Sequence, residues 1–199
     1  VWISGFFGSG KSHFLKMLSY LLSNPVVAGK RAVEYFSDKF DDPMMFTQIE
    51  NCAKVPTDTI LFNIDSKSPI NKDKTAILRV FAKVFYEHIG LYGDDLKVAK
   101  LEQFLLKNGK KQEFEKKFKE INGDEWVNVR DAFAFWGDDI VETMTSVLGM
   151  SRETAISWFD GTETAEISIE QLVKEIKDYI DGKAKNYRLL FMIDEVGQY

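Results

Sequence analysis

The stretch "GFFGSGKS", residues 5–12, decides the fold class of this 199-residue chain. The apolar residues 1–3 before it are typical of the end of a buried strand. The stretch "HFLKMLSYLL" after it, residues 13–22, repeats apolar side chains at helical spacing. The order is therefore strand, glycine-rich loop and helix. This order predicts an α/β fold with a parallel sheet, in which the loop joins the first strand to a helix.

The loop has the spacing G-x-x-x-x-G-K-[ST], formed by Gly5, Gly10, Lys11 and Ser12, which is the Walker A or P-loop pattern. Glycines let a backbone fold around phosphates, so that N–H groups and the positive end of the helix face the anion. We expect Lys11 to reach the β- and γ-phosphates of a nucleotide, and the Ser12 hydroxyl to bind Mg²⁺. The alternative is a glycine-rich turn before an ordinary helix, and the lysine–serine pair in register disfavours it.

Two aromatic residues, Phe6 and Phe7, lie inside this loop. Their rings have two alternative roles, which are to pack against the domain or to stack on an adenine base. We expect them to pack.

A second motif lies near the other end of the sequence. The apolar run Leu189–Ile193 is followed by Asp194 and Glu195, which is a Walker B pattern. A fully apolar strand is typical of a parallel sheet covered on both faces, with ligands binding at the carboxyl ends of its strands. We expect Asp194 to hold Mg²⁺ and Glu195 to deprotonate the attacking water. Alone, such a run is more often a solvated strand end, but together with a Walker A motif it favours a nucleotide site. Hydrolysis is favoured over transfer to a substrate, because a small-molecule kinase needs no water-activating glutamate.

Between the motifs, the pattern is mainly helical. Residues 29–55 are interpreted as a mixed-charge helical connection interrupted near Pro43, and Asp58–Asp65 ("DTILFNID") as the second strand of the sheet. A long amphipathic helix follows, with Asn71 as a predicted N-cap and Gly90 as its terminator.

From residue 91 to residue 182 the periodicity is helical throughout. The predicted segments are 96–106, 112–121, 126–136, 140–148, 154–159 and a helix from a capping box at 168–171 to Ile180. We therefore predict a P-loop core over 1–90, an α-helical insertion over 91–182, and the Walker B strand of the core over 183–199. The aromatic residues expected to form the core of the insertion are Trp126, Phe133, Phe135, Trp136, Trp158 and Phe159.

Charge and cysteine content limit the remaining functions. The formal net charge of -5 gives no overall basic field for nucleic acid. The one basic-rich run, residues 107–120, is interleaved with glutamates, so a solvated helix face is expected there and nucleic-acid contact is the alternative. Cys52 is the single cysteine, which excludes an intrachain disulfide framework and a cysteine-rich zinc site. No apolar run is long enough for a membrane span, and a cytoplasmic location is expected.

Four stretches together resemble a known family. They are "VWISGFFGSGKSHFLKML", "ILFNIDSK", "LGMSRETAISWF" and "LLFMIDEVGQY". They resemble BrxC-type P-loop ATPases of bacteriophage-exclusion (BREX) defence systems, which are related to PglY proteins. The resemblance implies an AAA+-like ATPase within a large intracellular protein. Such a protein works with other phage-defence proteins to modify host DNA and block phage.

The resemblance also implies a site and partners. The resemblance assigns Gly5, Gly8, Gly10, Lys11 and Ser12 to the phosphates and Mg²⁺ of ATP, and we expect the neighbouring Ser9 and His13 to bind ATP with them. The residues expected to hold Mg²⁺ are Ser12 and Asp194, and those expected to act in catalysis are Glu195 and Lys11. A homo-oligomer through the ATPase domain is implied, with DNA contact possible in the intact protein and no membrane. The proteins of this family are longer, so we expect this sequence to be the part of such a protein that ends just after the Walker B strand. Any arginine finger and sensor residues are then expected beyond Tyr199.

ATP is preferred over GTP only through this resemblance, since "NKDK" at residues 71–74 lies at a predicted helix start and is not a guanine-reading motif. Two other functions stay open. One is a nucleotide-gated scaffold that binds ATP with little turnover. The other is direct DNA binding through the lysine-rich part of the insertion.

Overall fold

A computed structural model describes residues 1–6, 8–64, 75–161 and 167–195. The chain divides into two compact units. The first combines Val1–Val80 with Ile169–Tyr199, and the second is Phe81–Ser168. The described residues are mostly helical, with a small parallel sheet in the first unit.

The first unit contains the motifs. Its elements are helix α1 (Lys11–Ser23), strands β1 (Val26–Val27) and β2 (Lys30–Arg31), a 3-10 helix (Ala32–Phe36), helix α2 (Pro43–Ala53), strand β3 (Thr57–Asn63), helix α9 (Ile169–Asp181) and strand β4 (Arg188–Asp194). Helix α3 (Ala76–His88) begins in this unit and ends in the second.

Strands β3 and β4 pair in parallel, although 124 residues separate them. The register runs from Thr57 opposite Arg188 to Asn63 opposite Asp194, so both strands end at the same edge. Helix α1 packs against both strands. The two strands predicted from residues 58–65 and 189–193 are thus confirmed within the described part of the chain, while Asp65 lies outside it.

The predicted strand at Val1–Ile3 is wrong. These residues form no strand, and they pair with none of the described strands. All three side chains are exposed. A segment of three residues supplies at most two or three ladder hydrogen bonds, too few to offset the entropy of ordering it.

The connection over residues 29–55 also differs from the prediction. It starts in a β-hairpin and a 3-10 helix, and Pro43 begins helix α2 instead of interrupting a helix. Proline is suited to the first helical position because the N–H that it lacks has no partner there. The Asp42 carboxylate caps this helix by accepting from the backbone N–H of Met44 at 2.8 Å.

The second unit is helical in its described residues. Its helices are α4 (Leu96–Lys107), α5 (Lys111–Asn122), α6 (Trp126–Val129), a 3-10 helix (Arg130–Trp136), α7 (Gly137–Leu148) and α8 (Arg152–Asp160). The predicted helices are confirmed here, except that the segment 126–136 divides into α6 and the 3-10 helix. Ala132 has non-helical backbone angles inside the 3-10 segment.

Aromatic residues form much of the core of this unit. The Trp126 ring is buried, and it meets Phe114 and Phe118 edge to face at centroid distances of 5.4 and 5.2 Å. The residues packed around this core include Phe133, Trp136, Trp158 and Phe159. Phe135, which was expected in the core, is 85% exposed. A 3-10 helix has three residues per turn, so Phe133 and Trp136 share a side and Phe135 lies off it.

The observed boundaries of the helical unit are residues 81 and 168, whereas the sequence predicted 91 and 182. Helix α9 belongs to the first unit because it contacts β3. The Tyr187 hydroxyl donates to the Asp58 carboxylate on β3 at 2.6 Å, and the Tyr179 hydroxyl on α9 donates to the same carboxylate at 3.4 Å. The predicted N-cap at Asn71 lies outside the described residues.

Candidate functional site

The glycine-rich loop turns sharply before helix α1. Gly8 and Gly10 have φ angles of 76° and 85°, in the left-handed region that favours glycine. Gly10 is the N-cap of α1, and its carbonyl accepts from the N–H of Phe14 at 2.9 Å. The N–H of Ser9 donates to the Phe6 carbonyl at 3.1 Å, which closes a turn inside the loop. The positive φ angles that this loop requires therefore explain why Gly8 and Gly10 are glycines.

Lys11 is folded back over this loop. Its ammonium group donates to the carbonyl oxygens of Gly5 at 3.0 Å and Phe6 at 2.8 Å. Lys11 forms no ion pair with any residue that the structure describes. Its positive charge is therefore held by neutral carbonyls, and these can be exchanged for an anion.

The first turn of α1 adds to this positive region. It contains no acidic residue, and Ser12 and His13 are both exposed. The first N–H groups of an α-helix have no partner within the helix, and they carry partial positive charge. The beginning of α1 therefore suits a phosphate group.

The carboxyl ends of β3 and β4 bring three polar residues together. Asn63 lies opposite Asp194, and the Asn63 amide donates to the Glu195 carboxylate. The backbone N–H of Glu195 donates to the Asp194 carboxylate at 3.0 Å. Glu195 has a φ angle of 60°, a left-handed conformation that costs a non-glycine residue roughly 1–2 kcal/mol. The hydrogen bond from Asn63 helps to hold this conformation.

Both motifs belong to the first unit, and α1 connects them by packing on β3 and β4. No hydrogen bond or ion pair joins Lys11 to Asp194 or Glu195 in the described residues. The described residues also contain no cluster of three His, Cys, Asp or Glu side chains that could hold a metal ion. Mg²⁺ does not need such a cluster, because it is usually bound by one or two protein oxygens together with phosphates and waters. The Ser12 hydroxyl and the Asp194 carboxylate are oxygen donors of that kind.

Sequence reasoning missed Asn63. The residue stands in "DTILFNID" as one more polar residue at a strand end. Only the parallel register between β3 and β4 brings it to Asp194 and Glu195, across 131 and 132 residues of sequence. The sequence shows a polar side chain at the end of a predicted strand, and this was the available signal. It does not show that this strand is the neighbour of β4.

The expectation that Phe6 packs against the domain is wrong. Its side chain is 89% exposed, because its backbone is fixed by bonds to Ser9 and Lys11 while no described element covers its ring. Phe7 lies outside the described residues.

The basic-rich run at 107–120 contains helix α5, where several lysines pair with glutamates. The pairs are Lys110–Glu113, Lys111–Glu115, Lys117–Glu120 and Lys119–Glu125. In the last pair, the hydrogen bond and the opposite charge of Glu125 hold the pKa of Lys119 above its ordinary value, and those of Lys119 hold the pKa of Glu125 below its own. Such pairing favours a solvated helix face over a nucleic-acid surface.

No family model matches the sequence, and no solved structure matches it significantly. None of the helices in the described ranges has the length and apolar character to cross a bilayer.

Proposed function

We propose that this chain is a P-loop ATPase that binds Mg²⁺ and ATP through its glycine-rich loop and hydrolyses the γ-phosphate. The observation that carries the proposal is the packing of α1 on β3 and β4. The helix follows the Walker A loop, and the strands end at Asn63, Asp194 and Glu195. An anion-binding loop and a pair of carboxylates in one unit are the parts that phosphoryl transfer to water requires.

Lys11 is proposed to change partners when ATP binds. Its ammonium group leaves the carbonyls of Gly5 and Phe6 and donates to phosphate oxygens. The exchange is favourable because the phosphate oxygens carry negative charge and attract the ammonium group, whereas the carbonyl oxygens of the loop are neutral. The glycines of the loop and the first N–H groups of α1, at Ser12 and His13, bind the phosphates alongside it.

Glu195 is proposed to accept the proton of the attacking water. A carboxylate has about four lone-pair positions, so the bond from the Asn63 amide leaves room for a water molecule. Asn63 acts as a positioning residue that fixes the direction of this carboxylate. Asp194 and the Ser12 hydroxyl would hold Mg²⁺, which supplies neutralisation of the phosphate charge when bound.

The experiment that tests this function is single-turnover hydrolysis of ATP by the full-length protein, compared between the wild type and Glu195→Gln. The amide nearly preserves the shape of the side chain but cannot accept a proton. We expect turnover to fall roughly 100-fold or more while ATP binding is kept. Glu170→Gln, an exposed substitution on α9, is the control. Equal turnover in the wild type and Glu195→Gln would contradict the role of Glu195.

A nucleotide-gated scaffold with little turnover is the second candidate, and one observation favours it. The carboxylate of Glu195 is already held by Asn63, in a strained backbone conformation. If that bond keeps the carboxylate away from water, ATP binds without being hydrolysed. Removal of the Asn63 amide separates the two candidates, since it lowers turnover in the first and raises it in the second.

We further propose, from the resemblance to BrxC-type proteins, that the ATPase acts within a phage-defence assembly in the cytoplasm, as a homo-oligomer and with DNA as a partner of the intact assembly. A clear preference for GTP over ATP in competition binding would contradict this assignment.

A further inference from the structure

Helix α1 presents two different sides at the end that follows the glycine-rich loop. Gly10 is its N-cap, so Lys11 is the first residue of the helix and His13 the third. Each residue of an α-helix turns the chain by about 100°, so these two side chains leave the helix about 200° apart. Lys11 and His13 therefore lie on nearly opposite sides of the same helix end.

The Lys11 side of α1 is the covered one. Leu15 and Leu18 follow Lys11 by about one and two turns, and both are partly buried. Helix α1 packs against β3 and β4, and β4 ends in Asp194. The proposed hydrolysis needs the γ-phosphate close to both Lys11 and the carboxylates that follow β4. The γ-phosphate is therefore expected on this side of the helix end.

The His13 side of α1 faces solvent. Lys16 and Tyr20 follow His13 by about one and two turns, and all three residues are exposed. The His13 imidazole has no hydrogen bond or ion pair with any residue that the structure describes. Side chains of an α-helix lean toward its N-terminus, so this imidazole leans toward the loop. It is therefore available to a ligand whose phosphates the loop holds.

We propose that the His13 side chain binds the nucleoside part of ATP and makes the site prefer nucleotides to inorganic polyphosphates. This inference rests on the proposed function, because it takes the phosphates to be bound by the loop. The Cα atoms of an α-helix lie about 2.3 Å from its axis, so the end of α1 is narrow. A triphosphate that crosses this end from the Lys11 side brings its nucleoside to the His13 side.

The chemistry of imidazole suits a nucleoside. Its two ring nitrogens form hydrogen bonds, and the ribose hydroxyls both donate and accept them. Its flat ring is also a surface on which a base can stack. An inorganic polyphosphate offers neither a ribose nor a base, so the His13 side chain adds affinity for the nucleotide alone.

Isothermal titration with Mg²⁺ and three ligands, namely ATP, ADP and inorganic tripolyphosphate, tests this role. We expect His13→Ala to weaken the binding of ATP and ADP alike, by roughly 5- to 10-fold, because both lose one hydrogen-bonding partner of the nucleoside. Tripolyphosphate should keep its wild-type affinity. Tyr20→Ala removes another exposed side chain from the same side of α1, about two turns from the loop, and should change none of the three affinities. Circular dichroism checks that both variants fold.

The outcomes separate this inference from the proposed function. A wild type that binds none of the three ligands would contradict the phosphate-binding loop, and the role of His13 with it. Binding of all three by the wild type, with ATP unaffected in His13→Ala or with tripolyphosphate weakened as much as ATP, would overturn the role of His13 alone. A loss of ATP affinity with ADP unchanged would put His13 beside the γ-phosphate and would overturn it as well.

Discussion

The two units treat their carboxylates in opposite ways. In the helical unit, Glu102 is fully buried and accepts from the Trp126 indole at 2.8 Å, the Arg130 guanidinium at 2.8 Å and the Tyr92 backbone N–H at 2.7 Å. In the first unit, Glu195 is exposed and its described side-chain partner is the Asn63 amide. One carboxylate is saturated by the protein, and the other keeps lone pairs open to solvent.

This difference distinguishes a carboxylate that stabilises the fold from one that is available to bind a ligand. A buried charge is tolerated only when the protein supplies its partners, so Glu102 holds α4, α6 and the 3-10 helix together. An exposed carboxylate contributes little to stability. The strained backbone of Glu195 fits the role in binding or catalysis that we propose for this residue.

The largest effect that this comparison predicts is on stability at Glu102. Glu102→Ala leaves the Arg130 guanidinium and the Trp126 indole without their acceptor, and we expect the free energy of unfolding to fall by about 3 kcal/mol. Urea denaturation measures it. Glu113→Ala removes an exposed partner of Lys110 and should cost less than about 0.5 kcal/mol. Equal losses of unfolding free energy in the two variants would contradict the view that a buried carboxylate with several protein partners stabilises the fold more than an exposed one.

A smaller effect is expected at Asn63. Asn63→Ala frees the Glu195 carboxylate, and we expect the turnover of ATP to fall by about 3- to 10-fold with KM unchanged, because the base loses its orientation. Steady-state kinetics measure it, with the exposed Asn51→Ala as the control. A rise in turnover would show instead that Asn63 restrains Glu195, as in the scaffold candidate.

The smallest effect concerns Asp58, a third carboxylate with protein partners. Burial, followed by the hydrogen bonds to Asp58 and Tyr179, raises the pKa of the Tyr187 hydroxyl well above its ordinary value. Above about pH 10 the unfolded chain loses this proton while the folded chain keeps it, so stability falls as pH rises. Tyr187→Phe should lower stability by about 1 kcal/mol at pH 8.

Denaturation curves from pH 8 to pH 11 measure this effect. We expect the difference between the wild type and Tyr187→Phe to shrink above pH 10, with Tyr20→Phe as a control for loss of an exposed hydroxyl. A difference that stays constant over this range would contradict the linkage.

Local features of the fold could be predicted from the sequence, and long-range ones could not. The glycine-rich loop, α1 and the helices of the second unit follow from spacing within about a dozen residues. The register that brings Asn63 to Asp194 depends on two strands far apart in the chain. The burial of Glu102 and the exposure of Phe135 depend on neighbouring helices, which override the polarity of a single residue.

The site divides in the same way. The motif residues of the loop and of β4 could be proposed from the sequence because glycine, lysine and acidic residues recur at fixed spacing in phosphate-binding motifs. The bonds from Lys11 to its own loop and the strained backbone of Glu195 could not, because both depend on three-dimensional geometry.

The affinity of the chain for ATP and Mg²⁺, measured by isothermal titration calorimetry, tests the central claim most directly. We expect the wild type and Lys16→Ala, which removes an exposed lysine from the same helix, to bind alike. Lys11→Ala should lose binding by at least roughly 100-fold with its fold intact, because it loses charge-assisted bonds to phosphate. Unchanged ATP affinity in Lys11→Ala would contradict the assignment of this loop to phosphate binding.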